Sequence, residues 1–114
     1  MSERTRLVAM ATAVAMACLP TAAETATSFY SGNALWNECS GDNAFQSGLC
    51  MGFVAGISDA MSIAAIKACF PPGVTVGQTA DVVKRFLGQH PERRHEAAAG
   101  LVAQALSEAF PCKQ

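Results

Sequence analysis

The stretch Gly48–Met61, "GLCMGFVAGISDAM", decides how the chain is interpreted. Its glycines recur every four residues, at Gly48, Gly52 and Gly56, and its one charged residue is Asp59. On a helical wheel the glycines and Asp59 fall within about 80° of one another. Bulky residues occupy the opposite side: Phe53, Val54, Ile57 and Met61. The pattern therefore predicts a buried helix whose glycine face allows close approach of a second helix, which we expect to be the alanine-rich fourth one.

The N-terminus has the composition of an export signal. Arg4 and Arg6 precede the apolar run "LVAMATAVAMAC", and "TAA" supplies small residues before a cleavage site between Ala23 and Glu24. We therefore expect residues 1–23 to be a cleaved signal peptide and residues 24–114 to form a single domain in the periplasm. The mature chain would not be embedded in a membrane, because Asp59 is costly in lipid.

Charge and cysteine content support an exported protein that does not bind nucleic acid. The net charge is −1 over 114 residues, and no basic run could neutralise phosphates. Cleavage removes Cys18 and leaves four cysteines, an even number that suits two disulfides in an oxidising compartment. No C-x-x-C or close Cys/His pair indicates zinc, so we predict neither a metal site nor a cofactor.

Helix signals dominate the mature chain, and strand signals are poor. The first helix is predicted from a cap at Ser31 or Asn33 to about Cys39, and the second over about 44–68. A third follows the capping box Thr75–Gln78 and ends near Leu87 or Gly88. The fourth is predicted to begin at Pro91 and to run to about Ala109. Four helices with short connections predict an all-α, disulfide-stapled bundle.

Geometry narrows the cysteine pairing to Cys39–Cys50 and Cys69–Cys112. If the second helix is continuous, Cys50 and Cys69 are separated by roughly 28 Å, whereas bridged Cα atoms lie within about 7 Å. A short loop also places Cys39 at the end of the first helix near Cys50 and far from Cys69. With all four cysteines oxidised, none offers a thiolate for catalysis, and we predict that the protein is not an enzyme.

Two polar features are candidate partner contacts. Asp59 either has a structural place, at the solvated edge of the bundle or accepting a hydrogen bond from a neighbouring helix, or it contacts a partner. The turn Gln89–His95 either supplies contacts or is simply a solvated end of the bundle. The candidate residues in this turn are Gln89, His90, Glu92, Arg93, Arg94 and His95.

The chain resembles the Rap/Tai family of type VI secretion immunity proteins. The resemblance rests on four segments in the order of that family, which together cover nearly all of the mature chain. They are "FYSGNALWNEC" (29–39), "CMGFVAGISDA" (50–60), "CFPPGVTVGQTADVVKRFLGQHPERRH" (69–95) and "LVAQALSEAFPC" (101–112). One departure is Phe53, where the family often has tyrosine.

The resemblance implies a periplasmic protein that binds a peptidoglycan amidase effector and blocks its cleft. It also implies an all-α fold that is often a homodimer, with no catalytic residues. Two alternatives fit the same sequence: a general periplasmic chaperone or stress protein, and a housekeeping binding domain of the same fold.

Overall fold

A computed structural model describes residues 28–113 and contains four α helices. They are α1 (Gly32–Ser40), α2 (Ala44–Ile63), α3 (Val76–Gln89) and α4 (Ala98–Ala109), with a 3-10 turn over Pro91–Arg93. Within the described range the only β pairing outside the helices is an isolated bridge between Ser31 and Ala97. The predicted all-α bundle of four helices is confirmed. The expected signal peptide, residues 1–23, lies outside the described residues.

Side-chain caps start the first three helices where the sequence predicted. Ser31 Oγ accepts a hydrogen bond from Ala34 N at 3.2 Å, and Asn43 Oδ1 accepts one from Gln46 N at 2.9 Å. Thr75 and Gln78 form the predicted capping box, in which each side chain accepts from the other residue's backbone N–H. These bonds satisfy donors that a helix N-terminus otherwise leaves unpaired, so each start is locally encoded.

The second helix is shorter than predicted, because it ends at Ile63 rather than near Ala68. Ala65 adopts a positive φ of 56°, and Ile66 N donates to Met61 O at 3.0 Å. This geometry is a Schellman motif, which usually places glycine in the left-handed position. Because alanine occupies that position here, the sequence carries no visible stop signal before the two prolines.

The prediction that the fourth helix begins at Pro91 is wrong. Pro91–Arg93 forms a separate 3-10 turn, and α4 begins only at Ala98. The segment between them lies against the start of α1: Gly32 N donates to Glu96 O at 2.8 Å, and Ala98 N donates to Tyr30 O at 2.9 Å. This pairing keeps residues 94–97 out of a helix.

The core lies between the inner face of α2 and the other three helices. The bulky residues predicted for that face do face the core: Val54 and Met61 are buried, and Phe53 and Ile57 are partly buried against the cluster. The remaining large buried side chains come from α1, α3 and α4. They are Leu35, Val83, Phe86, Leu87, Leu101, Val102 and Leu106.

Two disulfides join the predicted cysteine pairs. Cys39–Cys50 links the end of α1 to α2, and Cys69–Cys112 links the segment after α2 to the C-terminus; both have Cα atoms 4.9 Å apart. Cys69 N also donates to Phe110 O at 2.8 Å. The second bridge spans 43 residues, and closing a loop of that length stabilises the fold by about 4 kcal/mol on the loop-entropy model.

The predicted close packing on the glycine face of α2 is wrong. Gly48, Gly52 and Gly56 are exposed, and a Cβ built on any of them would meet nothing within 4 Å. The fourth helix packs on the inner face instead, together with α1 and α3, so no described element covers the glycines. Within residues 28–113 no helix is long and apolar enough to cross a bilayer.

At Gly32, in contrast to these three glycines, other residues of the chain lie close to the backbone. A Cβ at this position would lie 2.5 Å from Leu101 Cδ1 and 2.8 Å from Arg94 O. Gly32→Ala should therefore lower the free energy of unfolding by about 2 kcal/mol. Gly52→Ala, the matched control, should raise it by about 0.5–1 kcal/mol through helix propensity. Urea unfolding of the oxidised chain measures both, and equal effects would contradict the assigned packing.

Candidate partner-binding surface

The side of α2 that points away from the core is apolar and uncovered. We define the outer face of α2 by seven exposed residues that share this side of the helix: Phe45, Gly48, Leu49, Gly52, Gly56, Asp59 and Ile63. Phe45 is 74% and Ile63 89% exposed, and they stand at the two ends with the glycines between them. Large apolar side chains exposed together mark an interaction surface more often than isolated ones do.

A shallow apolar depression adjoins the N-terminal half of this face. It has a volume of about 230 Å³ and is lined by Tyr30, Gly48, Leu49, Gly52 and Phe53. The rings of Tyr30 and Phe53 stack with their centroids 5.5 Å apart. The depression therefore extends the outer face of α2 onto the segment that precedes α1.

Asp59 lies at the other border of the outer face, beside a cleft between α2 and α3. The cleft has a volume of about 280 Å³. Its lining residues come from α2, from the start of α3 and from the loop between them: Ala55, Ser58, Asp59, Phe70, Val74, Thr75, Val76 and Thr79. Asp59 is exposed, so the structure places it where a partner can reach it.

The turn Gln89–His95 forms a separate polar surface. It follows the C-terminus of α3, whereas the Asp59 cleft adjoins its N-terminus. The 14 residues of α3 separate the two by about 20 Å at 1.5 Å per residue. The structure therefore does not bring Asp59 and the turn into one compact site.

His90 and Glu92 interact with each other inside this turn. His90 Nδ1 lies 3.2 Å from Glu92 Oε1, and the His90 ring packs on Phe86 with centroids 4.5 Å apart. The pKa of the Glu92 carboxyl is lowered, first by a backbone hydrogen bond and then by His90. Gln89, Glu92 and His95 are exposed and His90 is partly buried, so these four remain accessible to a partner to different degrees.

Arg93 is engaged within the bundle. Its guanidinium donates to both oxygens of Glu96, at 2.7 and 2.9 Å, and to Gln104 Oε1 at 2.7 Å. The hydrogen bonds between Arg93 and Glu96 lower the pKa of the Glu96 carboxyl and raise the pKa of Arg93. Two parallel hydrogen bonds hold the guanidinium in one orientation, which leaves few of its donors for a partner.

Arg94 is also engaged within the bundle. Its Nε donates to Leu87 O at 2.7 Å, near the C-terminal end of α3, and its guanidinium lies 4.2 Å from the centroid of the Trp36 ring. The side chain thus satisfies a carbonyl that the helix end leaves unpaired and stacks on an aromatic face. This placement indicates a structural role for Arg94.

Sequence reasoning missed the apolar members of the outer face, namely Phe45, Leu49 and Ile63. The signal was present, because these residues fall beside the glycines on the same helical wheel. An exposed apolar face was not predicted from the wheel, because another helix was expected to cover the glycines. Whether a helix face is covered depends on tertiary packing, which a wheel does not report.

The described residues hold no arrangement that indicates a catalytic or metal centre. Between Ser28 and Lys113 no group of three His, Cys, Asp or Glu residues is placed to hold a metal ion. The four cysteines in that range are all disulfide-bonded. The described surface carries the apolar outer face of α2, the cleft beside Asp59 and the separate polar turn Gln89–His95, which are features of a small helical domain that offers contacts to a partner.

Comparison with protein families identifies the kind of module. Residues 31–112 match the model of the Rap1a immunity proteins, and the chain belongs to this family. The resemblance to the Rap/Tai immunity proteins noted from the sequence is thereby confirmed. No curated protein sequence matches the chain at a significant level.

A structural role and a partner-contact role for Arg94 predict different effects of its removal on the free energy of unfolding. If its role is structural, Arg94→Ala should lower the free energy of unfolding by about 1–2 kcal/mol, through the lost hydrogen bond and ring contact. Arg85→Ala, at an exposed position on α3, is the matched control and should change it by less than about 0.5 kcal/mol. If the two variants had the same free energy of unfolding, the structural role would be contradicted and Arg94 would remain a candidate partner contact.

Proposed function

We propose that this protein is a periplasmic immunity protein that binds a peptidoglycan amidase delivered by type VI secretion and occludes its active site. The observation that carries the proposal is the match of residues 31–112 to the Rap1a immunity proteins. An immunity protein acts by binding an effector. The amidase as the target, and occlusion as the mode of inhibition, come from the resemblance to the Rap/Tai proteins.

Export to the periplasm is supported by the cysteines and by the N-terminal sequence. The two disulfides require an oxidising compartment to persist. Residues 1–23 combine a basic start, an apolar run and small residues before the proposed cleavage site. A peptidoglycan amidase acts in the same compartment, so inhibitor and target would meet there.

We propose the outer face of α2 as the principal effector contact. Phe45, Leu49 and Ile63 supply apolar area that is exposed in the free protein. The three glycines between them allow a partner backbone to approach closely, because no side chain stands above the helix. One disulfide in the first half of α2 and one in the segment after it keep this surface preorganised, which reduces the entropy lost on binding.

The turn Gln89–His95 is proposed as a secondary contact. Gln89, Glu92 and His95 are exposed and can reach a partner, and His90 is partly accessible. Arg93 and Arg94 contribute less, because both guanidinium groups bind residues of the same chain. An amidase that contacts both the cleft beside Asp59 and the turn would have to extend along the whole length of α3.

A general periplasmic chaperone or a housekeeping binding domain of the same fold is the second candidate. The observation that favours it is the same uncovered apolar face, which could bind many clients. The two functions differ in selectivity: an immunity protein protects against its own effector, whereas a chaperone suppresses aggregation of unrelated unfolded proteins.

Co-expression in the periplasm tests the proposal. The chain should prevent lysis by one of the peptidoglycan amidase effectors encoded in the same genome and should copurify with it. Gly52→Leu should abolish both results, because the new side chain would stand in the contact. Gly100→Leu, at an exposed glycine of α4 that also has open space around it, should keep them.

Two results would contradict this account. Lysis by every amidase tested, with no complex formed, would reject the immunity proposal for those effectors. Equal protection by Gly52→Leu and Gly100→Leu would reject the outer face of α2 as the contact. The homodimer implied by the resemblance stays a prediction, and sedimentation of the wild type and both variants would show whether Gly52→Leu acts on the dimer instead.

A further inference from the structure

The cleft between α2 and α3 combines apolar walls with three hydroxyl residues, Ser58, Thr75 and Thr79, and one carboxylate. Ala55, Phe70, Val74 and Val76 supply the walls, and Asp59 lies at its border. Phe70 and Val76 are 37% and 45% exposed, so apolar surface remains available for contact. A volume of about 280 Å³ lies below the range of about 300–1,000 Å³ that accommodates small-molecule ligands. The cleft is better matched to a single long side chain.

The charges around Asp59 favour the binding of a cationic group. Asp59 is the one charged residue in α2, and its carboxylate takes part in no hydrogen bond or salt bridge within residues 28–113. It lies four residues before the helix ends, and the last turn carries no basic residue. The C-terminal end of a helix is itself partially negative. The carboxylate and the helix end therefore contribute negative potential, and no salt bridge within residues 28–113 involves Asp59.

The N-terminus of α3 also borders this cleft and would by itself favour an anion. Its capping box reduces that tendency. Gln78 N donates to Thr75 Oγ1 at 3.2 Å, and Thr75 N donates to Gln78 Oε1 at 2.9 Å. Two of the four donors at the helix start, Thr75 N and Gln78 N, are thus already paired, whereas the Asp59 carboxylate is free to accept.

We propose that this cleft receives an arginine side chain of the partner protein. The guanidinium would pair with Asp59, and the aliphatic stem would lie against Val76 and the ring of Phe70. Arginine fits better than lysine, because its planar guanidinium can donate two parallel hydrogen bonds to the carboxylate. The inference deepens the proposed function, on which the identity of the partner as an amidase rests.

The position of Asp59 connects this cleft with the outer face of α2. Asp59 lies on the same side of the helix as Gly52 and Gly56, and it also lines the cleft. A partner segment lying along the glycines would therefore reach the cleft by extending one side chain over the edge of α2. Apolar contact would supply most of the affinity, and the ion pair would determine the register.

The chemistry of the cleft can be tested without any amidase. Isotope-labelled protein would be titrated with Nα-acetyl-L-arginine amide and, as a neutral isostere, with the corresponding citrulline amide. We expect saturable chemical-shift changes at Ala55, Asp59, Thr75 and Val76 with arginine only. Asp59→Asn should weaken this binding about threefold to fivefold, the effect of one exposed ion pair. Asp81→Asn, which removes a charge from α3 outside the cleft, should leave the binding unchanged.

Equal shifts with the arginine and citrulline amides, or arginine binding unchanged by Asp59→Asn, would overturn the proposal. Unfolding measurements exclude a folding artefact, because Asp59→Asn removes an anion near a helix C-terminus and should not lower stability.

A second measurement tests whether the contact at Asp59 forms in the complex with an amidase. With an amidase that binds the wild-type chain, Asp59→Asn should weaken binding about fivefold and Asp59→Lys more strongly, while Asp81→Asn should leave it unchanged. Unchanged affinity for Asp59→Lys would overturn the proposed contact. If no amidase binds the wild type, the proposed function fails, and the arginine titration still decides whether the cleft selects a guanidinium.

Discussion

The close contact between the backbone at Gly32 and residues 94–96 fixes the position of α1 relative to α4. Gly32 N and Asn33 N donate to Glu96 O and Arg94 O at 2.8 and 2.6 Å. These bonds pair the first donors of α1, which would otherwise be unsatisfied at its buried start. They also keep residues 94–97 out of a helix, so that α4 begins at Ala98 and passes Gly32 at Leu101. A side chain at Gly32 would separate the two backbones.

This arrangement has a consequence for α2. With α1 joined to the segment before α4, and α3 packed against both helices, all three helices contact α2 on its inner face. Its outer face is then left without a neighbour in the described chain. Cys50 fastens the first half of the helix to α1, and Cys69 fastens the segment that follows it to the C-terminus. An apolar surface on a fixed helix is suited to binding a protein partner.

Features encoded in a few adjacent residues could be predicted from the sequence. The helical class, three N-caps and both disulfides depend on local signals or on simple distance limits, and the structure contains them. The end of α2 and the start of α4 depend on tertiary contacts. Ala65 takes a left-handed conformation without being glycine, and Arg94–Ala97 is held by pairing with α1. No pattern within either segment reports these events.

The candidate site was predictable only in part. Asp59 was identified because it interrupts an apolar face, and it lies exposed beside a cleft. Arg93 and Arg94 are predicted contacts because they are charged residues of the separate turn Gln89–His95, although both are used inside the bundle. The charge of an arginine indicates that it needs a partner, but the sequence does not show whether that partner belongs to the same chain.

The most direct test is hydroxyl-radical footprinting of the side chains, with and without an amidase that the chain protects against. If the outer face of α2 is the contact, oxidation of Phe45, Leu49 and Ile63 should fall sharply in the complex, because their exposed surface becomes buried. His95, in the separate turn, should change less. Unchanged oxidation of the three apolar residues, with protection confined to the turn Gln89–His95, would contradict the account.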